Sequence, residues 1–86
     1  MNPQHQLQAR LTILKILAEC NGYLLSEIQL FSQLNLEIKP PVTIVEMESE
    51  LKFLESDRLI AGINPALGGP RKWQITDLGK LARAEA

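Results

Sequence analysis

Residues 43–63 read TIVEMESELKFLESDRLIAGI, a run that passes from helical to strand-like patterning. It opens on Thr43 with Glu46 three positions on, the spacing at which a hydroxyl and a carboxylate satisfy each other's free amides at a helix start. From there Ile44, Met47, Leu51 and Leu54 recur every three or four residues and so share one face. The spacing predicts a helix over 44–57. Leu59 to Ile63 then changes to a short apolar run with β-strand character.

Upstream, Lys39-Pro40-Pro41 imposes extended backbone, so any earlier helix must end before it. Ser26 and Gln29 form a second capping box, and Ile28, Leu30, Phe31 and Leu34 mark a helix from Glu27 to about Asn35. Tyr23-Leu24-Leu25 is too short for a helix and reads as a short strand. Before it, the polar residues Gln8, Thr12, Lys15 and Glu19 recur at helical spacing. Leu7, Leu11, Ile13, Leu14, Ile16, Leu17 and Cys20 fill most of the rest, which predicts a helix over Gln4 to Glu19 with one narrow wet stripe. Asn21-Gly22 is a suitable left-handed terminator for it.

Downstream, Leu59 to Ile63 and Arg71 to Thr76 are two short β-prone runs. Asn64-Pro65-Ala66-Leu67-Gly68-Gly69-Pro70 joins them, with a composition that suits a hairpin loop. Thr76 can cap a last helix carrying Leu78, Leu81 and Ala82, with Lys80 and Arg83 near its C-terminal end. The order is helix, short strand, helix, turn, helix, hairpin, helix. This packs as three helices closed by a small sheet: a mainly α fold with a β-hairpin wing, expected to form a single domain over residues 1–86.

Composition agrees. With 45% hydrophobic and 22% charged residues the chain is globular and not disordered, and 86 residues close one core. A core this small leaves thin stability, and Cys20, without a second cysteine, offers no disulfide within a monomer, so oligomerisation is the expected supplement. The lone thiol suits a reducing compartment. No stretch nears the roughly 20 apolar residues that cross a bilayer, and Met1 to Gln8 lacks the features of a secretory signal, so the expectation is a cytoplasmic protein without membrane contact. The net charge of −1 is not that of a strongly basic nucleic-acid binder. Its distribution is uneven: residues 41–58 carry five acidic and two basic groups, and residues 59–86 carry two and four.

Catalysis is poorly served. His5 is the only histidine and lies near the start of the first helix, and Cys20 has no base near it in sequence. No His, Cys and carboxylate cluster has metal-ligand spacing, and Gly68-Gly69 lacks the lysine and Ser/Thr of a phosphate loop. The chain is expected to be no enzyme and to need no cofactor or metal. Cys20 reads as a buried, inert thiol.

The run Glu50-Leu51-Lys52-Phe53-Leu54-Glu55-Ser56-Asp57-Arg58-Leu59-Ile60 resembles the recognition-helix end of winged helix-turn-helix regulators. Lys72-Trp73-Gln74-Ile75-Thr76-Asp77-Leu78-Gly79 resembles their second wing strand and the Thr-x-x-Gly that opens the closing helix. With Ile13 to Leu25, the resemblance covers most of the chain. It is similar to small ArsR-like winged-helix proteins of Mu-like prophages, and more loosely to MarR and PadR regulators. The resemblance implies a DNA-binding transcriptional regulator, of phage or mobile-element origin, whose third helix enters the major groove while the wing touches an adjacent groove. By position it implies contacts from Thr43, Glu46, Ser49, Lys52 and Phe53 on the helix and from Arg71 and Lys72 in the wing. The chain departs from that pattern at Glu46, Glu48 and Glu50, acids where such proteins carry Arg, Lys, Gln or Ser, and at Arg58, which stands where the turn often holds glycine.

Some readings stay open in the sequence. Alternation puts Trp73 with Ile75 on one strand face and in the core, against a stacking role at the wing tip. Arg71 and Lys72 read either as phosphate contacts or as solvated flanks. The acidic third helix is either a solvated face or a surface for a basic partner protein, which makes a protein-interaction module the alternative to a DNA binder. The excess apolar surface of the first helix reads either as a homodimer seam through Leu7, Ile13 and Ile16 or as full burial inside the monomer.

Overall fold

The computed structural model describes residues 2–20 and 23–85, so the Asn21-Gly22 terminator lies outside the described residues. Asn2 accepts a hydrogen bond from the His5 amide at 2.7 Å and Pro3 fills the first helical position, starting α1 (Pro3–Glu19) one residue before the expected Gln4. After β1 (Leu25–Ser26), Ser26 caps α2 (Glu27–Glu37) with the full capping box to Gln29. This helix runs two residues past Asn35. Its last turn is closed by the Ile38 amide on the Leu34 carbonyl, and the Asn35 side chain bonds both the amide and the carbonyl of Val42, holding the proline turn against the helix end. Thr43 and Glu46 form their capping box and begin α3 (Ile44–Ser56).

The two β-prone runs form β2 (Ile60–Ile63) and β3 (Lys72–Ile75), each shorter than the run that predicts it. Leu59 is diverted: its amide closes the end of α3 on the Leu54 carbonyl, and its carbonyl accepts from Thr76. The sheet is antiparallel in the order β1-β3-β2, with Trp73 between Leu25 and Gly62 and Lys72 between Ser26 and Ile63. Partners across an antiparallel ladder share a face, so Leu25, Ile60, Trp73 and Ile75 turn to the helices. Trp73 is 3% exposed, which settles it as a core residue.

The core joins Ile13, Leu14 and Leu17 of α1, Leu30 and Leu34 of α2 and Met47, Leu51 and Leu54 of α3 to Ile38, Val42, Ile60 and Trp73. Ile13 and Ile16 are buried within the monomer at 0% and 5% exposure, which removes them from the expected dimer seam. Only Leu7 of that trio is exposed. The reason is geometric: α1 packs against α2, α3, β3 and α4, and the face that carries Ile13 and Ile16 is the one they cover.

In α4 (Asp77–Glu85) the packing differs from expectation. Leu78 and Leu81 are about half exposed, and Gly79 is the buried residue, its α-carbon so close to the Leu59 carbonyl that a Cβ would collide with it. The Thr76 hydroxyl accepts from the Gly79 amide and donates to the Arg58 carbonyl at 2.7 Å, and the Thr76 amide donates to the Leu59 carbonyl. The Thr-x-x-Gly motif thus fastens α4 to the turn after α3.

Candidate nucleic-acid interface

Because α3 buries Met47, Glu50, Leu51 and Leu54, its opposite face is set by the same 3.6-residue period. Val45, Glu48, Ser49 and Lys52 stand there exposed, with the N-cap Thr43 exposed at the head of the helix. Glu46 is half buried and turned back onto the Thr43 amide at 2.9 Å; that hydrogen bond holds its carboxyl below the ordinary value. Val45 and Glu48 were not singled out as contacts in the sequence, although their spacing from Ser49 and Lys52 puts them on the same face.

Glu50 does not belong to this face, contrary to the grouping with Glu46 and Glu48. Only 2% exposed, it takes a 2.7 Å hydrogen bond from Arg10 Nε of α1. The Arg10 guanidinium also lies 3.7 Å from the Phe53 ring centre. Phe53, implied as a base contact, therefore stands at the α1 side of α3 with one ring face covered. Lys15 similarly ties α1 to the end of α2: its 2.6 Å hydrogen bond to Glu37 raises the amine's pKa.

The two wing cations part company. Lys72 is exposed and forms no ion pair among the described residues. Arg71 has the parity of Trp73 and lies on the inner side of the sheet rim. Its Nη2 donates to Glu55 Oε2 at 2.6 Å and to the Gly62 carbonyl at 3.2 Å, and Nη1 reaches Glu55 Oε1 at 3.4 Å. The guanidinium lies 4.7 Å from the Trp73 ring centre and passes over Gly62, where any Cβ would collide with it. Glu55, which the sequence reading left without a role, is the residue that holds Arg71.

Between the start of α2, α3 and the wing base runs a cleft of about 200 Å³, lined by Glu27, Glu48, Leu51, Lys52, Arg71 and Trp73. A larger groove of about 660 Å³ lies between α1, the end of β3 and α4, where Tyr23, Lys80 and Arg83 line it. Among the described residues no group of three or more His, Cys, Asp or Glu is placed to hold a metal ion. Cys20 is half buried and donates to the Ile16 carbonyl at 3.2 Å. No helix among the described residues is long and apolar enough to cross a membrane.

No family model matches the chain, and no curated protein matches it. Solved structures do. A PadR-like transcriptional regulator from Bacillus cereus is 25% identical, with a TM-score of 0.71 over 88% of this chain and 74% of that one. A PadR family transcription regulator from Clostridium difficile gives 0.74 at 18% identity, over 90% and 80%. The adhesin competence repressor of Streptococcus pyogenes gives 0.63 at 20% identity, covering 86% of this chain and half of that one. The fold is that of winged helix-turn-helix transcription regulators: a mainly helical domain with a small antiparallel sheet and a β-wing.

Proposed function

We propose that this chain is a DNA-binding transcriptional regulator, not an enzyme, which reads duplex DNA with the exposed face of α3 and touches the backbone with its wing. The observation that carries this reading is the outward stripe of Val45, Glu48, Ser49 and Lys52, headed by Thr43 and placed beside a β-ribbon on a fold shared with PadR regulators. A capped helix held out by a rigid core is what major-groove readout needs, and small polar, amide or cationic side chains supply its contacts. Lys52 and Lys72 are exposed cations suited to phosphate.

Two copies acting together fit the exposed Leu7 of α1 and the half-exposed Leu78 and Leu81 of α4, which leave apolar surface for a homodimer. Such a pair would read two half-sites about one helical turn apart. A cytoplasmic setting accords with a DNA partner, and the phage or mobile-element origin rests on the resemblance of residues 50–60 and 72–79. A surface for a basic partner protein is less favoured, because Glu50 faces Arg10 and leaves the outer face of α3 less acidic than the sequence suggests.

Selection from random duplex DNA at low and physiological salt tests the reading. Enrichment of one sequence, arranged as an inverted repeat, is the expected result. Failure to enrich any sequence at low salt overturns it.

A further inference from the structure

We propose that the Arg71 guanidinium is a phosphate-binding group for duplex DNA that Glu55 masks in the free protein; the inference rests on the DNA-binding reading above. In the free chain the Arg71 fork is spent on Glu55 and on the Gly62 carbonyl, and its flat face covers Trp73. This closed arrangement is incompletely satisfied. Arg71 Nε and Trp73 Nε1 are both buried among protein atoms with no acceptor, although Trp73 is 3% exposed and an orphaned donor at such depth is costly.

A phosphodiester is the acceptor that fits these groups. It replaces the Glu55 carboxylate in kind, as a single negative charge with two oxygens matched to the guanidinium fork. Drawing Arg71 outward uncovers the Trp73 ring face, because the guanidinium is what lies over it. Nε of Arg71, without an acceptor in the closed arrangement, is then free to donate to the anion. Exchange is feasible at this rim, since the Arg71 and Glu55 side chains are 39% and 35% exposed and Glu55 rehydrates on release. Lys52 lines the adjoining cleft and adds a second cation, whereas Glu27 and Glu48, also lining it, restrict the site to one phosphate.

The test compares wild type, Glu55→Gln, Arg71→Ala and the double variant in titrations of labelled duplex DNA across a salt series, with the emission of Trp73, the only tryptophan, as a second readout. Glu55→Gln is expected to bind about fivefold tighter than wild type, the magnitude of a partly exposed ion pair no longer competing. Arg71→Ala is expected to flatten the salt slope by about 0.9. The double variant should match Arg71→Ala, and the Trp73 emission of wild type should shift on DNA addition. If Glu55→Gln tightens binding equally in the Arg71→Ala background, Glu55 merely repels DNA and the masking is refuted. An unchanged affinity of Glu55→Gln, with wild type still binding, refutes it as well. If no variant binds duplex DNA at low salt, the DNA-binding reading itself falls.

Discussion

Arg58 sits exposed at the turn after α3 with φ at 62°, in the left-handed region where a side chain crowds the following carbonyl. That accounts for the glycine usual at this point of similar proteins: the turn needs positive φ, and here an arginine adopts it at a cost. Arg58→Gly is expected to stabilise the fold by roughly 0.5–1 kcal/mol, the relieved strain minus the extra chain entropy of glycine. Denaturant unfolding should show a higher midpoint with an unchanged slope; an equal or lower midpoint would mean that the turn is not strained. Other residues were legible by the same elementary rules, and some were read incompletely. Alternation assigned Trp73 to the core correctly, yet the same parity puts Arg71 on the inner face beside it, where Glu55 takes it up. Glu50 is three residues from Met47 and four from Leu54, so the apolar spacing of α3 already placed it inside. Its partner Arg10 lies 40 residues away, and no local pattern identifies such a partner.

At the scale of elements, both capping boxes and both strands of the hairpin were written in short-range patterns and appear where those patterns put them. What the pattern missed was set by packing between elements. The dimer seam read from α1 counted apolar residues without knowing that four other elements cover that helix. In α4, Leu78 and Leu81 marked an apolar face, but the close approach to the Leu59 carbonyl selects the glycine for the buried side. The Arg10–Glu50 pair is the polar tie between α1 and α3, and with Phe53 it fixes how the outer face of α3 is presented. Removing one partner leaves a carboxylate buried at 2% exposure without a counter-charge. Arg10→Met is expected to destabilise by roughly 3 kcal/mol, and adding Glu50→Leu should recover most of the loss, because a buried ion pair contributes little beyond what an apolar pair of similar volume supplies. Thermal melts of the two single variants and the double variant check this; additive losses would show that the pair is no unit.

A net charge of −1 gives no long-range attraction to DNA, so on the proposed reading recognition rests on local placement: Lys52 and Arg71 lining one cleft, Lys72 exposed on the wing, and Glu50 turned inward. The fold brings Lys52 of α3 and Arg71 at the wing base to one cleft, though they lie far apart in sequence. It also presents a second cationic area, Lys80 and Arg83 of α4 beside the larger groove, which is the natural competitor for an anionic partner. Amide chemical-shift mapping on addition of duplex DNA separates the two surfaces. Binding by the third helix and wing requires perturbations at Val45, Glu48, Ser49, Lys52 and Lys72 while Lys80 and Arg83 stay in place. Shifts confined to Lys80, Arg83 and their groove, with α3 unmoved, would contradict it.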